Sequence, residues 1–151
     1  MADEGYFYIP DDDILREVGR IVIRHGHLDH LLRLAIKRFL GISIEDEGYA
    51  SETRGMSSAL RERLQELTTA KFKDNPDKRG LFESLLAVAE AQTKRRNTLV
   101  HAVWMHVPGK APALYDKDGT AYPIPTIEIL RDIERMIDVV KNILNFSSRG
   151  V

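Results

Sequence analysis

At 151 residues with 43% hydrophobic side chains, the chain has material for one core and not for two. Its 22 basic and 23 acidic residues leave a formal charge of −1, so no global field draws it to nucleic acid or to a membrane, and any anion site has to be local. Without a single Cys it forms neither disulfides nor thiolate metal sites. The acidic, aromatic first residues do not read as a signal peptide, and no apolar run has the length of a bilayer span, so a cytoplasmic protein without a membrane partner is expected.

Residues 1–10 read as an N-terminal extension. Asp11, Asp12 and Asp13 then supply cap and first-turn acids for a long helix that runs with helical periodicity to Leu40 and stops at Gly41. Its apolar stripe (Ile14, Val18, Ile21, Val22, Leu28, Leu32, Ala35, Ile36, Phe39) is broadened by Ile23, Leu31 and Leu34, which calls for cover on two sides, from neighbouring helices or from a second subunit. Residues 41–56 read as a connector. Ser57 or Ser58 is placed to cap a second helix through Leu60, Leu64 and Leu67 to about Phe72, and Asn75-Pro76-Asp77 reads as its breaker. A third helix is expected from near Gly80, continuing until just before Pro108. Within a loop or hairpin insertion over residues 105–125, Leu114 to Tyr122 has the pattern of a small β-hairpin turning at Asp118-Gly119. Thr126 caps a last helix with Ile129, Ile133, Ile137, Val140 and Leu144 on one side. The expected architecture is a single all-α domain over residues 1–151, a four-helix bundle with a small hairpin or irregular insertion before the last helix.

The third helix carries Lys94-Arg95-Arg96-Asn97-Thr98-Leu99-Val100-His101. At about 100° per residue, Leu85, Ala89 and Val103 share a direction with Arg96, which puts a guanidinium on the inward face, where it needs an acid or a solvated cleft. Asn97 and His101 lie one turn apart on a different flank. On the first helix His25 and Asp29 interrupt the apolar stripe, also one turn apart, and an Asp29 to Arg96 ion pair is predicted, with His25 as a second hydrogen-bonding group and Arg95 as an alternative partner. His25, His27 and His30 fall on different faces, so no metal site is expected among them. His101 read alone is a helix-end cation meeting carbonyl dipoles. Lys94, Trp104 and Tyr115 are weak candidates for contacting RNA phosphates or bases, and a core role competes for Trp104.

Arg96-Asn97-x-x-x-His101, late in the third helix of a compact helical domain, resembles the signature of the HEPN (higher eukaryotes and prokaryotes nucleotide-binding) superfamily. The resemblance implies a metal-independent endoribonuclease, often a toxin or host-defence effector, that needs no cofactor and pairs two motifs across a homodimer. It assigns catalytic roles to Arg96, Asn97 and His101, with RNA as substrate and an antitoxin as a possible protein partner. The chemistry suits those residue types: imidazole moves protons near neutrality, and the guanidinium fork holds two phosphate oxygens while staying charged. Some members keep the fold without nuclease activity, which leaves open a non-catalytic module binding a nucleotide or a protein, or a purely structural helical dimer.

Overall fold

A computed structural model describes residues 6–43, 45–46 and 52–151. Among them are four helices, α1 (Asp12–Leu40), α2 (Ser57–Lys71), α3 (Pro76–His101) and α4 (Ile127–Ser147), and four short strands, β1 (Tyr6–Phe7), β2 (Val103–His106), β3 (Ala113–Tyr115) and β4 (Ala121–Pro123). The protein is predominantly all-α, with the small sheet set ahead of the last helix. No helix among the described residues is long and apolar enough to cross a membrane.

Local chemistry explains most boundaries. α1 opens with Asp12 and Asp13 in its first turn, where carboxylates meet the exposed amides. It closes at Gly41, whose φ of 64° suits a residue without Cβ and lets the N–H groups of Gly41 and Ile42 return to Arg38 and Lys37. Thr126 caps α4 as expected, its side chain accepting from the amide of Ile129. Asn75-Pro76-Asp77 corrects the sequence reading: it starts α3 instead of only ending α2. Asn75 accepts from the amide of Lys78, and Pro76 sits in the first turn, where its missing N–H removes no helical bond. Ser57 is the first residue of α2 and not its side-chain cap, because its hydroxyl is turned toward α1. Of the expected connector, residue 44 and residues 47–51 lie outside the described residues, as do residues 1–5 of the N-terminal extension.

The far end of α3 is a second correction. The helix stops at His101, and Val103 to His106 form a strand, so Val103 and Trp104 are not helical and Val103 is exposed. A strand wins because it finds partners on both sides. β1 pairs Tyr6 with His106 and Phe7 with Met105, and β3 pairs Leu114 with Trp104 and Ala113 with Met105, all antiparallel. β3 turns through Gly119 (φ 78°) into β4, giving the order β1-β2-β3-β4. Part of the supposed extension is therefore an edge strand. Trp104 ties the sheet to the helix, its indole N–H donating to the carbonyl of Leu99 at 3.1 Å.

The core lies between α1 and the other three helices. Ile21, Leu28, Leu32 and Ile36 of α1 meet Leu60 and Leu64 of α2, Phe82 and Ala89 of α3, and Ile133, Ile137 and Leu144 of α4, all buried. Leu114 of β3 joins them. At one end Phe39, Phe72 and Phe82 form an aromatic trio with centroids 5.4–5.8 Å apart, two contacts edge-on and one stacked. Ile129 is 47% exposed and Val22 43%, so both leave the buried stripes to which periodicity assigned them.

α1 and α4 run parallel, joined by a charged seam: Arg24 reaches Glu134 at 3.3 Å and also pairs with Asp138, while Arg131 reaches Glu17 at 3.6 Å. Glu17 and Glu134 are both buried. Burial, then contact with Glu17, pushes the Glu134 carboxyl up to about 7, while the proton on Glu134 and the guanidinium groups of Arg20 and Arg131 hold Glu17 below its ordinary range. Keeping one carboxyl protonated removes the repulsion between two buried acids.

Candidate functional site

The two flanks of α3 predicted from the wheel are present, and they carry two different environments. On the α1 side, Arg96 is half-buried and donates from Nε and Nη2 to Nδ1 of His25, at 3.4 and 3.3 Å. A guanidinium only donates, so Nδ1 is an acceptor and the imidazole carries its proton on Nε2. That Nε2–H meets Thr93 Oγ1 at 2.9 Å, and the hydroxyl in turn donates to the carbonyl of Ala89 at 2.9 Å and accepts from Arg61 Nη1 at 3.2 Å. His25 is 1% exposed. Burial, aided by the charges of Arg96 and Arg61 and opposed by Asp29, lowers its pKa, in agreement with a neutral ring in this tautomer.

The predicted Asp29 to Arg96 ion pair does not form. Asp29 accepts from the hydroxyl of Ser57 at 2.7 Å with Oδ1, and Oδ2 stands 3.8 Å from His25 Nδ1. His25 thus occupies the place between acid and guanidinium. Among the described residues no carboxylate approaches Arg96 within 4.0 Å, so Arg96 is aimed by a neutral group and its charge is left uncompensated at close range. The inward direction was right and the partner was wrong, because a hydroxyl from α2 outcompeted the guanidinium for Asp29.

On the other flank, Asn97 and His101 are exposed and line an open depression of about 270 Å³ together with Thr98, Ala102, Asp116, Lys117, Asp118 and Tyr122. Its far wall is the β3–β4 turn. Neither Asn97 nor His101 makes a side-chain hydrogen bond among the described residues. Arg96 is not part of this depression, so one chain does not bring the whole motif together.

The remaining candidates fall elsewhere. Lys94 is exposed and pairs with Glu90 at 3.6 Å, and Arg95 is exposed. Trp104 is half-buried with its indole N–H committed to Leu99, and Tyr115 lies opposite Val103 in the sheet; neither lines the His101 depression. Trp104 instead borders an apolar depression of about 330 Å³ with Phe7, Ile9, Leu15, Val18 and Val103. Among the described residues no three His, Asp or Glu side chains gather in a way that would hold a metal. Thr93, Arg61 and Ser57 belong to the polar network without any local sequence signal, since each acts through a residue at least 28 positions away. Tyr122 and Lys117 were visible as hairpin residues, but nothing local says which surface the hairpin faces.

No family model matches the chain, and no curated protein and no solved structure matches it.

Proposed function

We propose that the protein is a metal-independent endoribonuclease of HEPN type, acting in the cytoplasm as a homodimer, in the manner of toxins and host-defence effectors that an antitoxin restrains. One observation carries this reading: Arg96, Asn97 and His101 are all left without an acidic partner, the first steered by a neutral imidazole and the other two open to solvent. In the proposed reaction one neutral His101 takes the proton of a ribose 2′-hydroxyl, O2′ attacks phosphorus, and the P–O5′ bond breaks. A protonated His101 from the second copy gives its proton to O5′, leaving a 2′,3′-cyclic phosphate and a 5′-hydroxyl. Arg96 holds the phosphoryl oxygens as charge builds on them, and Asn97 orients His101 or donates to the phosphate. DNA lacks the attacking hydroxyl.

The divergence of Arg96 and His101 along α3 is why a second copy is required. Apolar side chains are exposed on several elements, Leu15 and Val22 on α1, Val100 on α3 one turn beyond Arg96, Val103 on β2 and Phe7 and Ile9 near the N-terminus, and twofold pairing gives them a partner. The same divergence favours a second reading, a non-catalytic module of this fold that binds a nucleotide or a protein partner.

Incubation of purified protein with RNA in EDTA tests the choice, with His101→Ala and Arg96→Ala in parallel and sedimentation for the assembly. Cleavage that persists in chelator and disappears in both variants is expected. Retention of RNA without cleavage by any form supports the second reading, and cleavage unaffected by His101→Ala refutes the first.

A further inference from the structure

The turn that walls the His101 depression is built with unusual economy. Asp116 Oδ1 accepts from the amides of Asp118 and Thr120, both at 2.9 Å, and Oδ2 accepts from the Tyr122 hydroxyl at 3.3 Å. The backbone adds Asp116 N–H to Thr120 and Gly119 N–H to Asp116, each 3.0 Å. One carboxylate therefore fixes the loop that displays Lys117 and holds the Tyr122 ring at its phenolic end. Tyr122 remains 40% exposed in spite of that anchor, and Asp116 favours its protonated, donating form. A half-open aromatic ring, held at one end, thus shares a depression with an uncommitted imidazole and amide.

We infer that Tyr122 and Lys117 form a nucleotide subsite for single-stranded RNA, a base stacking on the Tyr122 ring while Lys117 meets the adjoining phosphate, with Asp116 as the positioning residue. The inference rests on the ribonuclease reading and adds a substrate class to it. Stacking needs a free π-face, which an unpaired nucleotide offers and a duplex withholds. The depression, about 270 Å³, is comparable to one nucleotide, and it opens beside His101, where a bound phosphodiester is attacked. Of the two carboxylates in the depression, that of Asp116 is already engaged by three hydrogen bonds, which lessens its repulsion of a phosphate, and that of Asp118 is opposed by the neighbouring Lys117 charge.

The test uses the full chain and a fluorescent, uncleavable 2′-O-methyl oligonucleotide about ten residues long, read by anisotropy against salt. Tyr122→Leu is expected to raise Kd about tenfold, and Tyr122→Phe, which keeps the ring, less than about threefold. Lys117→Gln is expected to flatten the slope of log Kd against log salt by about 0.7. Because Tyr122 is at the surface, thermal melts of each variant should match wild type, which separates lost stacking from lost folding. Tyr122→Leu binding within about threefold of wild type overturns the inference, even where His101-dependent cleavage of ordinary RNA stands. Wild-type protein that neither binds nor cuts RNA overturns the functional reading and the subsite with it.

Discussion

Thr93→Val probes the polar network that aims Arg96. Valine occupies nearly the same volume, so no cavity opens, and the change is confined to one hydroxyl with three hydrogen bonds. Ala89 O also accepts within the helix, and the half-exposed Arg61 regains water, so those two losses are small. The His25 Nε2–H is different: at 1% exposure it has no access to solvent and is left without an acceptor. A buried donor orphaned in this way costs about 1–3 kcal/mol, centred near about 2, and the added buried methyl offsets up to about 0.8 kcal/mol, so the mid-range cost leaves a net loss of about 1–2 kcal/mol. For a domain of this size that lowers Tm by about 2–8 °C. Urea unfolding near neutral pH, followed by circular dichroism and by Trp104 fluorescence, measures it. Imidazole nitrogen NMR supplies an independent check, with the His25 proton on Nε2 in the wild type. A variant as stable as wild type, or a wild-type ring protonated on Nδ1, refutes the donor–acceptor assignment and with it the account of how Arg96 is held.

The Glu17–Glu134 pair gives a pH dependence with a defined sign. Folded Glu134 keeps its proton to about pH 7, whereas an unfolded glutamate loses it near 4.5, so the native state binds more protons in between and stability falls as pH rises through that window. Glu134→Gln removes that loss: its advantage over wild type should grow from about pH 5 to about pH 8, by at most about 3 kcal/mol, and parallel stability profiles would contradict the shared proton. His25 acts in the opposite direction, because its lowered pKa makes protonation costly once pH falls below about 6.5. Phe82→Ala, which removes the most deeply buried phenylalanine of the aromatic trio, should cost about 3–5 kcal/mol in urea unfolding. Phe146→Ser, at an 80% exposed position, should change stability by no more than about 0.5 kcal/mol, and equal effects of the two would show that the core is misplaced.

Boundaries set by residues within one turn of each other were legible in the chain. The first-turn acids Asp12 and Asp13, Gly41 in its left-handed conformation, the Thr126 cap and the Asp118-Gly119 turn all act over four residues or fewer, and the sequence shows them directly, although Asp11 at the N-cap position makes no side-chain capping bond. The all-α bundle followed from apolar periodicity, and the direction of Arg96 toward α1 followed from the same arithmetic. Asn75-Pro76 was ambiguous because the same residues that end one helix can start the next.

Tertiary structure decided what depends on distant competitors. α3 ends at His101 because β1, from the far N-terminal side of the chain, and β3, from just downstream, offer Val103–His106 a ladder on each edge, and no helical rule contains that choice. Asp29 bonds to Ser57, 28 residues away, and so leaves Arg96 to His25. The hairpin at 113–123 is local in its making, while its position across from His101 depends on how β2 leaves the helix. Periodicity tells a side chain which way to point; which group meets it there depends on the arrangement that leaves the fewest buried donors and acceptors unmatched across the whole fold.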